Sequence, residues 1–116
     1  ISRYALEHAK EEIRDDLSYG KAQDLSRFAD KSFDLVISLT TLHNLYLFNL
    51  VKAVKEIQRV SKGSSYIMVE SYRNEEEKAN MLYWQLTCEC FLTVEEWEWI
   101  YRENGYKGDY SFIFFE

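Results

Sequence analysis

Residues 33–44 read FDLVISLTTLHN, and this stretch decides which fold the sequence predicts. An apolar run from Phe33 to Ile37 is broken only by Asp34, and small hydroxyl side chains and a histidine follow it. A strand that is apolar at successive positions, rather than at alternate ones, is typical of a parallel sheet covered by helices on both faces. We therefore predict a strand over 33–39 that is buried on both faces and ends in a polar turn.

The segments around this strand predict alternating strands and helices. On its N-terminal side we expect a helix over 2–17, capped by Ser2, and a weak strand over 19–23. After it we predict a helix that ends at Gly63 and has an apolar face at Leu47, Leu50, Val51, Val54 and Ile57. A strand over 64–71 and a helix over about 74–89 follow. The last predicted elements are a helix from the capping box Thr93–Glu96 to Asn104–Gly105 and a strand over 109–116. This order predicts an α/β layered domain with a mostly parallel sheet.

Composition limits the class of protein. The chain has 116 residues, 47% of them hydrophobic, which fits a single packed domain rather than a disordered segment. The net charge of −6 argues against nucleic-acid binding, and no run reaches the ~18 apolar residues of a membrane span. Cys88 and Cys90 have no second Cys or His pair nearby, so we predict reduced thiols in a cytoplasmic protein and no metal site.

Two longer stretches carry a family resemblance. DLSRFADKSFDLVISLTTLHNL (24–45) and LVKAVKEIQRVSKGSSYIMVES (50–71) closely resemble the central part of class I S-adenosylmethionine-dependent methyltransferases. Members share an Asp-containing turn, a Phe-Asp-Leu-Val strand, a Leu-His just beyond it, and a helix ending in Arg-Val-Leu-Lys-Pro-Gly-Gly. Here that last signature reads RVSKGSS over 59–65, so Gly-Ser-Ser replaces Pro-Gly-Gly.

The resemblance implies an incomplete Rossmann-like methyltransferase fold. The family's glycine-rich loop and its first two strands have no counterpart here, and those strands normally lie between the strands matched by 19–23 and 33–39. The chain would then leave an open edge in the middle of a parallel sheet. Three explanations remain: the natural protein is longer, a partner chain such as a second copy fills the gap, or the strands pair differently. We favour the first, with 1–116 as the C-terminal part of one domain.

The resemblance also implies which residues bind the cofactor, S-adenosylmethionine. Ile1 matches an apolar position against the adenine. Asp24, with Leu25, matches the loop that reads the adenine through a carboxylate and a neighbouring backbone N–H. Ser38, Leu39 and Thr40 match the strand end that contacts the methionine part. The alternatives are a plain turn at Asp24 and a capped strand-to-helix turn after Ser38.

Two further residues are candidates for the substrate side. His43 matches the Leu-His position, where a neutral imidazole would accept a proton from the substrate, but a lone histidine is more often a structural residue. Trp84 falls off the apolar stripe of its predicted helix, which favours an exposed contact surface or a lid. We expect no catalytic role for Asp34, which matches a structural position of the family.

The predicted function is methyl transfer from S-adenosylmethionine to a small-molecule or other nucleophile, as part of a longer enzyme. The residues present would bind the cofactor poorly on their own. The alternative is a non-catalytic methyltransferase-like module that acts through protein–protein contact. We expect neither a nucleic-acid partner nor a membrane partner.

Overall fold

The computed structural model of the chain describes residues 2–116. Strands β1 (Phe33–Leu39), β2 (Ser61–Glu70) and β3 (Asp109–Ile113) form one parallel sheet in the order β1-β2-β3. The helices are α1 (Arg3–Glu7), α2 (Leu47–Val60), α3 (Glu75–Trp84) and α4 (Val94–Glu103), with 3-10 turns at Glu11–Asp16 and Leu42–Asn44. The α/β class with a parallel sheet is thereby confirmed. No helix within residues 2–116 combines the length and apolar character needed to cross a membrane.

The core lies on one face of the sheet, between β2 and the two helices α2 and α4. Ile67 and Val69 of β2 are fully buried there, because alternate residues of a strand point to the same face. Leu50, Ala53, Val54 and Ile57 of α2 pack on them at helical spacing, whereas Leu47 of the predicted apolar face is exposed. The cluster is completed from α4 by Trp97, Ile100 and Tyr101.

Helix α4 begins with the predicted capping box. The backbone N–H of Glu96 donates to Thr93 Oγ1 (3.2 Å), and the N–H of Thr93 donates to Glu96 Oε1 (3.0 Å). Two N–H groups at the helix start, which have no partner inside the helix, are satisfied in this way. The helix stops at Glu103, and Gly105 then adopts a left-handed φ of 71°.

The prediction that β1 is buried on both faces is wrong. Leu35, Ile37 and Leu39 are 62%, 58% and 45% exposed, while Val36 points to the other face and packs against the core. The reason is the position of the strand. Within residues 2–116, β1 pairs only with β2, and α2 and α4 cover a single face of the sheet. β1 is therefore an edge strand with an uncovered apolar face.

Several element boundaries also differ from the predictions. Residues 19–23 form no strand, because no strand within residues 2–116 pairs with them, and a tight turn over 21–24 is closed by an isolated bridge between Lys21 and Asp24. The helix over 2–17 is divided into α1 and a 3-10 turn, since neither buries a side chain that would stabilise a longer helix.

The other corrections lie in the second half of the chain. α2 ends at Val60 rather than Gly63, because Ser61 already pairs with Phe33 in the sheet. α3 ends at Trp84 rather than near residue 89, where the N–H of Glu89 donates to the carbonyl of His43 instead of continuing the helix. β3 spans 109–113, shorter than the predicted 109–116.

The core assignment predicts different effects for two tryptophans of α4. Trp97→Ala removes a fully buried indole and should lower the free energy of unfolding by about 3–5 kcal/mol. Trp99→Ala is the matched control, because its side chain is 55% exposed, and it should cost less than about 1 kcal/mol. Urea unfolding followed by circular dichroism measures both. Equal losses would contradict the placement of α4.

Candidate functional site

Arg59, near the end of α2, fastens the loop that precedes β1. Its Nε and Nη2 donate to Glu56 Oε1 (2.7 Å) and Oε2 (3.0 Å). Nη2 also donates to the carbonyl of Leu25 (2.9 Å), and Nη1 donates to the carbonyl of Phe28 (2.8 Å) and to Asp30 Oδ1 (2.9 Å). Glu56 Oε2 accepts the backbone N–H of Leu25 (2.7 Å). One ion pair on α2 therefore holds residues 25–30 through both backbone and side chains.

The charges of this ion pair support each other. Hydrogen bonds from Arg59 lower the pKa of Glu56, against the raising effect of burial, and hydrogen bonds to Glu56 and Asp30 raise the pKa of Arg59. Both groups are thus charged at neutral pH. Bidentate contacts between a guanidinium and a carboxylate are among the stronger hydrogen bonds in proteins. Neither residue was predicted as part of the site, although Arg59 belongs to the family-like signature RVSKGSS.

The fastened loop faces the end of β1 across a cleft. A cavity of about 290 Å³ is lined by Leu25 together with Ser38 and Leu39, three of the predicted cofactor residues. A neighbouring cavity of about 320 Å³ is lined by Asp24 and shares Gly20 with the first. The structure therefore brings Asp24, Leu25, Ser38 and Leu39 to one surface, which we call the loop–strand cleft.

Asp24 presents a carboxylate to this cleft. Its Oδ1 accepts the backbone N–H of Ser26 at 3.2 Å, and hydrogen bonding to Ser26 lowers the pKa of the Asp24 carboxyl. The group is ionised at neutral pH and can accept further hydrogen bonds. The amides of Leu25 and Ser26 already donate to Glu56 and Asp24, so neither is the free backbone N–H that the sequence led us to expect.

Thr40, the residue directly after β1, has an uncommon backbone conformation. Its φ is +52°, a region that β-branched residues rarely adopt and that costs about 1–2 kcal/mol. The N–H of Thr40 donates to the carbonyl of Met68 (2.9 Å) and extends the pairing with β2. The hydroxyls of Thr40 and Thr41 both donate to the carbonyl of Leu39 (2.8 and 3.0 Å). Backbone strain of this kind is concentrated at functional sites.

His43 lies in the interior rather than at the mouth of a cleft. Its ring is 1% exposed, Nδ1 accepts the backbone N–H of Glu70 at 3.4 Å, and Nε2 lies 3.4 Å from Glu70 Oε2. Gln85 Nε2 donates to the other carboxylate oxygen of Glu70 (2.6 Å). Burial lowers the pKa of His43 and raises that of Glu70. This arrangement fits a neutral imidazole with its proton on Nε2, and it joins the 3-10 turn that follows β1 to the end of β2.

One predicted substrate residue, Trp84, lies apart from the loop–strand cleft. Trp84 is at the C-terminal end of α3, 67% exposed, with its ring edge-on to Tyr83 at 5.5 Å, and it does not line the cleft. Ile1 lies outside the described residues. Glu70 and Gln85 were not predicted as site residues. The only sequence signal for Glu70 was its place at the polar end of a predicted strand.

Comparison with known proteins identifies the family. A family model described as "Methyltransferase domain" matches residues 1–69, more than half of the chain. The chain therefore belongs to this family, the class I S-adenosylmethionine-dependent methyltransferases. The match includes the loop–strand cleft, Arg59 and His43 and ends just before Glu70, so α3, α4 and β3 lie beyond it. No curated protein and no solved structure matches the chain significantly.

The contacts of Arg59 predict that removing its charge lowers stability strongly, whereas removing the charge of Lys62 lowers it only slightly. Arg59→Met should cost about 2–3 kcal/mol of stability, because the partly buried carboxylate of Glu56 loses its partner. Amide exchange at Leu25 and Phe28 should become faster. Lys62→Met is the control, since the Lys62–Asp34 pair is exposed and 3.9 Å apart, and it should cost less than about 0.5 kcal/mol. Unchanged exchange at Leu25 in the Arg59 variant would refute this role.

The buried imidazole predicts a pH dependence of stability. Because the folded pKa of His43 lies below its ordinary value of 6.5, the unfolded chain binds a proton there that the folded chain does not. The contribution of His43 is therefore complete above about pH 6.5 and is lost as the pH falls below it.

Unfolding at about pH 7.5 and 5.5 measures this contribution. When the pH is lowered from about 7.5 to 5.5, the His43→Gln variant should lose less stability than the unmodified chain. The control His8→Gln, which changes an exposed histidine, should lose as much stability as the unmodified chain. The same pH dependence in all three would contradict a buried neutral His43.

Proposed function

We propose that this chain supplies one wall of the S-adenosylmethionine site of an enzyme that methylates a small-molecule nucleophile. The observation that carries the proposal is the loop–strand cleft, in which a fixed loop with an ionised Asp24 faces the end of β1 in a chain of the methyltransferase family. The Asp24 carboxylate would accept a hydrogen bond from the exocyclic amine of the adenine. Leu25 would pack against the ring, and the end of β1 at Ser38 to Thr40 would lie beside the methionine part.

The chemistry asked of these residues is mainly positioning. When bound, S-adenosylmethionine supplies a methyl group on a sulfonium that is already activated for displacement. The protein has to hold donor and acceptor in line, and correct placement can supply a large part of the rate enhancement. Both nitrogens of His43 face Glu70 in the interior, which favours a structural role in holding the turn after β1 against β2 over a role as base.

A further segment would complete the site at β1. Leu35, Ile37 and Leu39 form an exposed apolar row, and one edge of β1 has no strand beside it within the described residues. Such an edge pairs readily with another strand. We propose that a strand from elsewhere in a longer protein pairs with β1, while a helix joined to it covers the apolar row; a second copy of the chain is the alternative source. The two buried thiols fit a reducing compartment such as the cytoplasm.

The second candidate function is a non-catalytic interaction module. The large aromatic side chains of Phe48, Tyr83 and Trp84 are strongly exposed, and exposed apolar patches often mark protein contact sites. This candidate predicts no methyl transfer and no specific cofactor binding. A measurement of cofactor binding therefore separates the enzyme from the interaction module.

The test uses the protein at its natural length and S-adenosylhomocysteine as the probe in isothermal calorimetry. Asp24→Asn should weaken binding about tenfold, the effect expected from losing one charge-assisted hydrogen bond of about 1.5 kcal/mol. Asp34→Asn is the matched control, because the side chain of Asp34 is exposed on β1 and lies 3.9 Å from Lys62 at the surface. It should bind as the unmodified protein does, and the 116-residue chain alone should bind much more weakly than the natural-length protein.

Two results would count against the proposal. Equal affinity of the Asp24 and Asp34 variants would remove Asp24 from the site. No binding by the natural-length protein, together with no transfer of a labelled methyl group to any tested amine, phenol or carboxylate, would favour the interaction module.

A further inference from the structure

A second cleft lies at the opposite edge of the sheet from β1. It has a volume of about 670 Å³ and lies between β3 and the N-terminal half of α4. Tyr110, Phe112 and Phe114 occupy alternate positions along and just after β3, so their rings lie on one face and form one wall. The ring centroids of Tyr110 and Phe112 are 5.7 Å apart, and those of Phe112 and Phe114 are 6.4 Å apart. Tyr72 adds a fourth aromatic ring to the lining.

The facing wall is acidic. Glu95 and Glu98 of α4 line the cleft, and Glu98 Oε1 accepts a hydrogen bond from the hydroxyl of Tyr110 at 3.3 Å. Within residues 2–116 neither carboxylate forms an ion pair. The charges of these two groups are thus not balanced by a neighbouring side chain in contact with them.

The basic side chain in the lining is already neutralised. Arg73 Nη2 donates to Glu77 Oε1 (2.6 Å) and to Glu116 Oε1 (2.8 Å), and the guanidinium lies 4.0 Å from the ring centroid of Phe114. Two other cationic side chains lie near the cleft but outside its lining. Lys78 Nζ is 5.4 Å from the ring centroid of Tyr72. Burial raises the pKa of Tyr110, and the positive charge of Arg102 acts to lower it. The electrostatic character of the lining is therefore set by Glu95 and Glu98.

Aromatic faces combined with carboxylates recognise organic cations. The face of an aromatic ring carries negative potential and attracts ammonium groups, most strongly where water is partly excluded. The chain itself places Arg73 over Phe114 within the lining and Lys78 over Tyr72 from outside it, so the same chemistry already operates there. The cleft is also within the range of small-molecule sites and far larger than a bare metal ion requires.

We propose that this aromatic–acidic cleft binds an organic ammonium ion through the rings of Tyr110 and Phe112 and the carboxylates of Glu95 and Glu98. An anionic ligand is disfavoured by the two carboxylates. A neutral apolar ligand would leave both of them without an opposite charge. The inference is independent of the proposed cofactor site, because none of these residues lines the loop–strand cleft.

The test compares two probes of the same shape. Choline carries a quaternary ammonium, and 3,3-dimethylbutan-1-ol replaces the charged nitrogen by carbon. Each is titrated into ¹⁵N-labelled protein, and amide shifts are followed at Tyr72, Thr93, Tyr110 and Phe112. Choline should bind with a millimolar dissociation constant and shift these signals, whereas the neutral probe should bind at least about tenfold more weakly.

Variants of three carboxylates of α4 test whether Glu95 and Glu98 bind the ammonium group. Glu95→Gln combined with Glu98→Gln keeps the size of both side chains and should weaken choline binding about tenfold while leaving the neutral probe unchanged. Glu103→Gln changes an exposed carboxylate at the end of the same helix that does not line the cleft, and it should have no effect. The amide spectra of the variants themselves report that each remains folded.

Three outcomes would overturn the inference. One is equal binding of the two probes, which would show an apolar cleft without selectivity for charge. Another is equal choline affinity in the double variant and the Glu103 variant. The last is the absence of shifts at the four amides at up to about 50 mM choline, far above the millimolar binding expected for such a site. Because no methyl transfer is measured, these outcomes are separate from failure of the proposed function.

Discussion

The guanidinium of Arg59 is the contact on which the arrangement of the candidate site depends. It lies at the end of α2, immediately before the chain enters β2, and donates hydrogen bonds to Glu56, to Asp30 and to two carbonyls of the loop before β1. This side chain therefore fixes the loop relative to the crossover helix, while β1 and β2 are joined by their own parallel pairing. This gives a physical reason for an arginine in the RVSKGSS signature: its guanidinium holds the loop that carries Asp24 and Leu25 through the carbonyls of Leu25 and Phe28.

A second constraint is the one-sided cover of the sheet. α2 and α4 bury one face, and the apolar row of β1 on the other face remains exposed. Parallel sheets are normally covered on both faces. The exposed apolar row and the open edge of β1 therefore both mark the side of the sheet that has no neighbouring element within the described residues. This uncovered side fits a methyltransferase domain whose first strands pair beside β1, which is why the proposed site is one wall of a cradle rather than a closed pocket.

The parts of the fold that could be predicted from the sequence are those with local signals. The buried residues of α2 recur at helical spacing, and Thr93 with Glu96 forms the capping box expected at the start of α4. The exposure of Leu35 and Ile37 could not be predicted, because it depends on which elements lie beside β1 and not on the composition of the strand. For the same reason the 19–23 segment, which has no strand to pair with, became a turn.

The candidate site divides in the same way. The positions of Asp24 and Ser38 followed from the family resemblance, and the structure brings them to neighbouring cavities. The contact between His43 and Glu70 joins residues 27 apart in the chain, and no periodicity or motif signals it. The left-handed φ of Thr40 is likewise invisible in the sequence, since threonine rarely adopts it.

A crystal structure of the natural-length protein with S-adenosylhomocysteine tests the central claim most directly. The account predicts ligand density in the loop–strand cleft, with the adenine beside Asp24 and Leu25 and the amino-acid part beside Ser38, Leu39 and Thr40. It also predicts that Arg59 keeps its contacts to Glu56 and Leu25 in the complex. Density bound elsewhere in the protein, with this cleft filled only by solvent, would contradict the account.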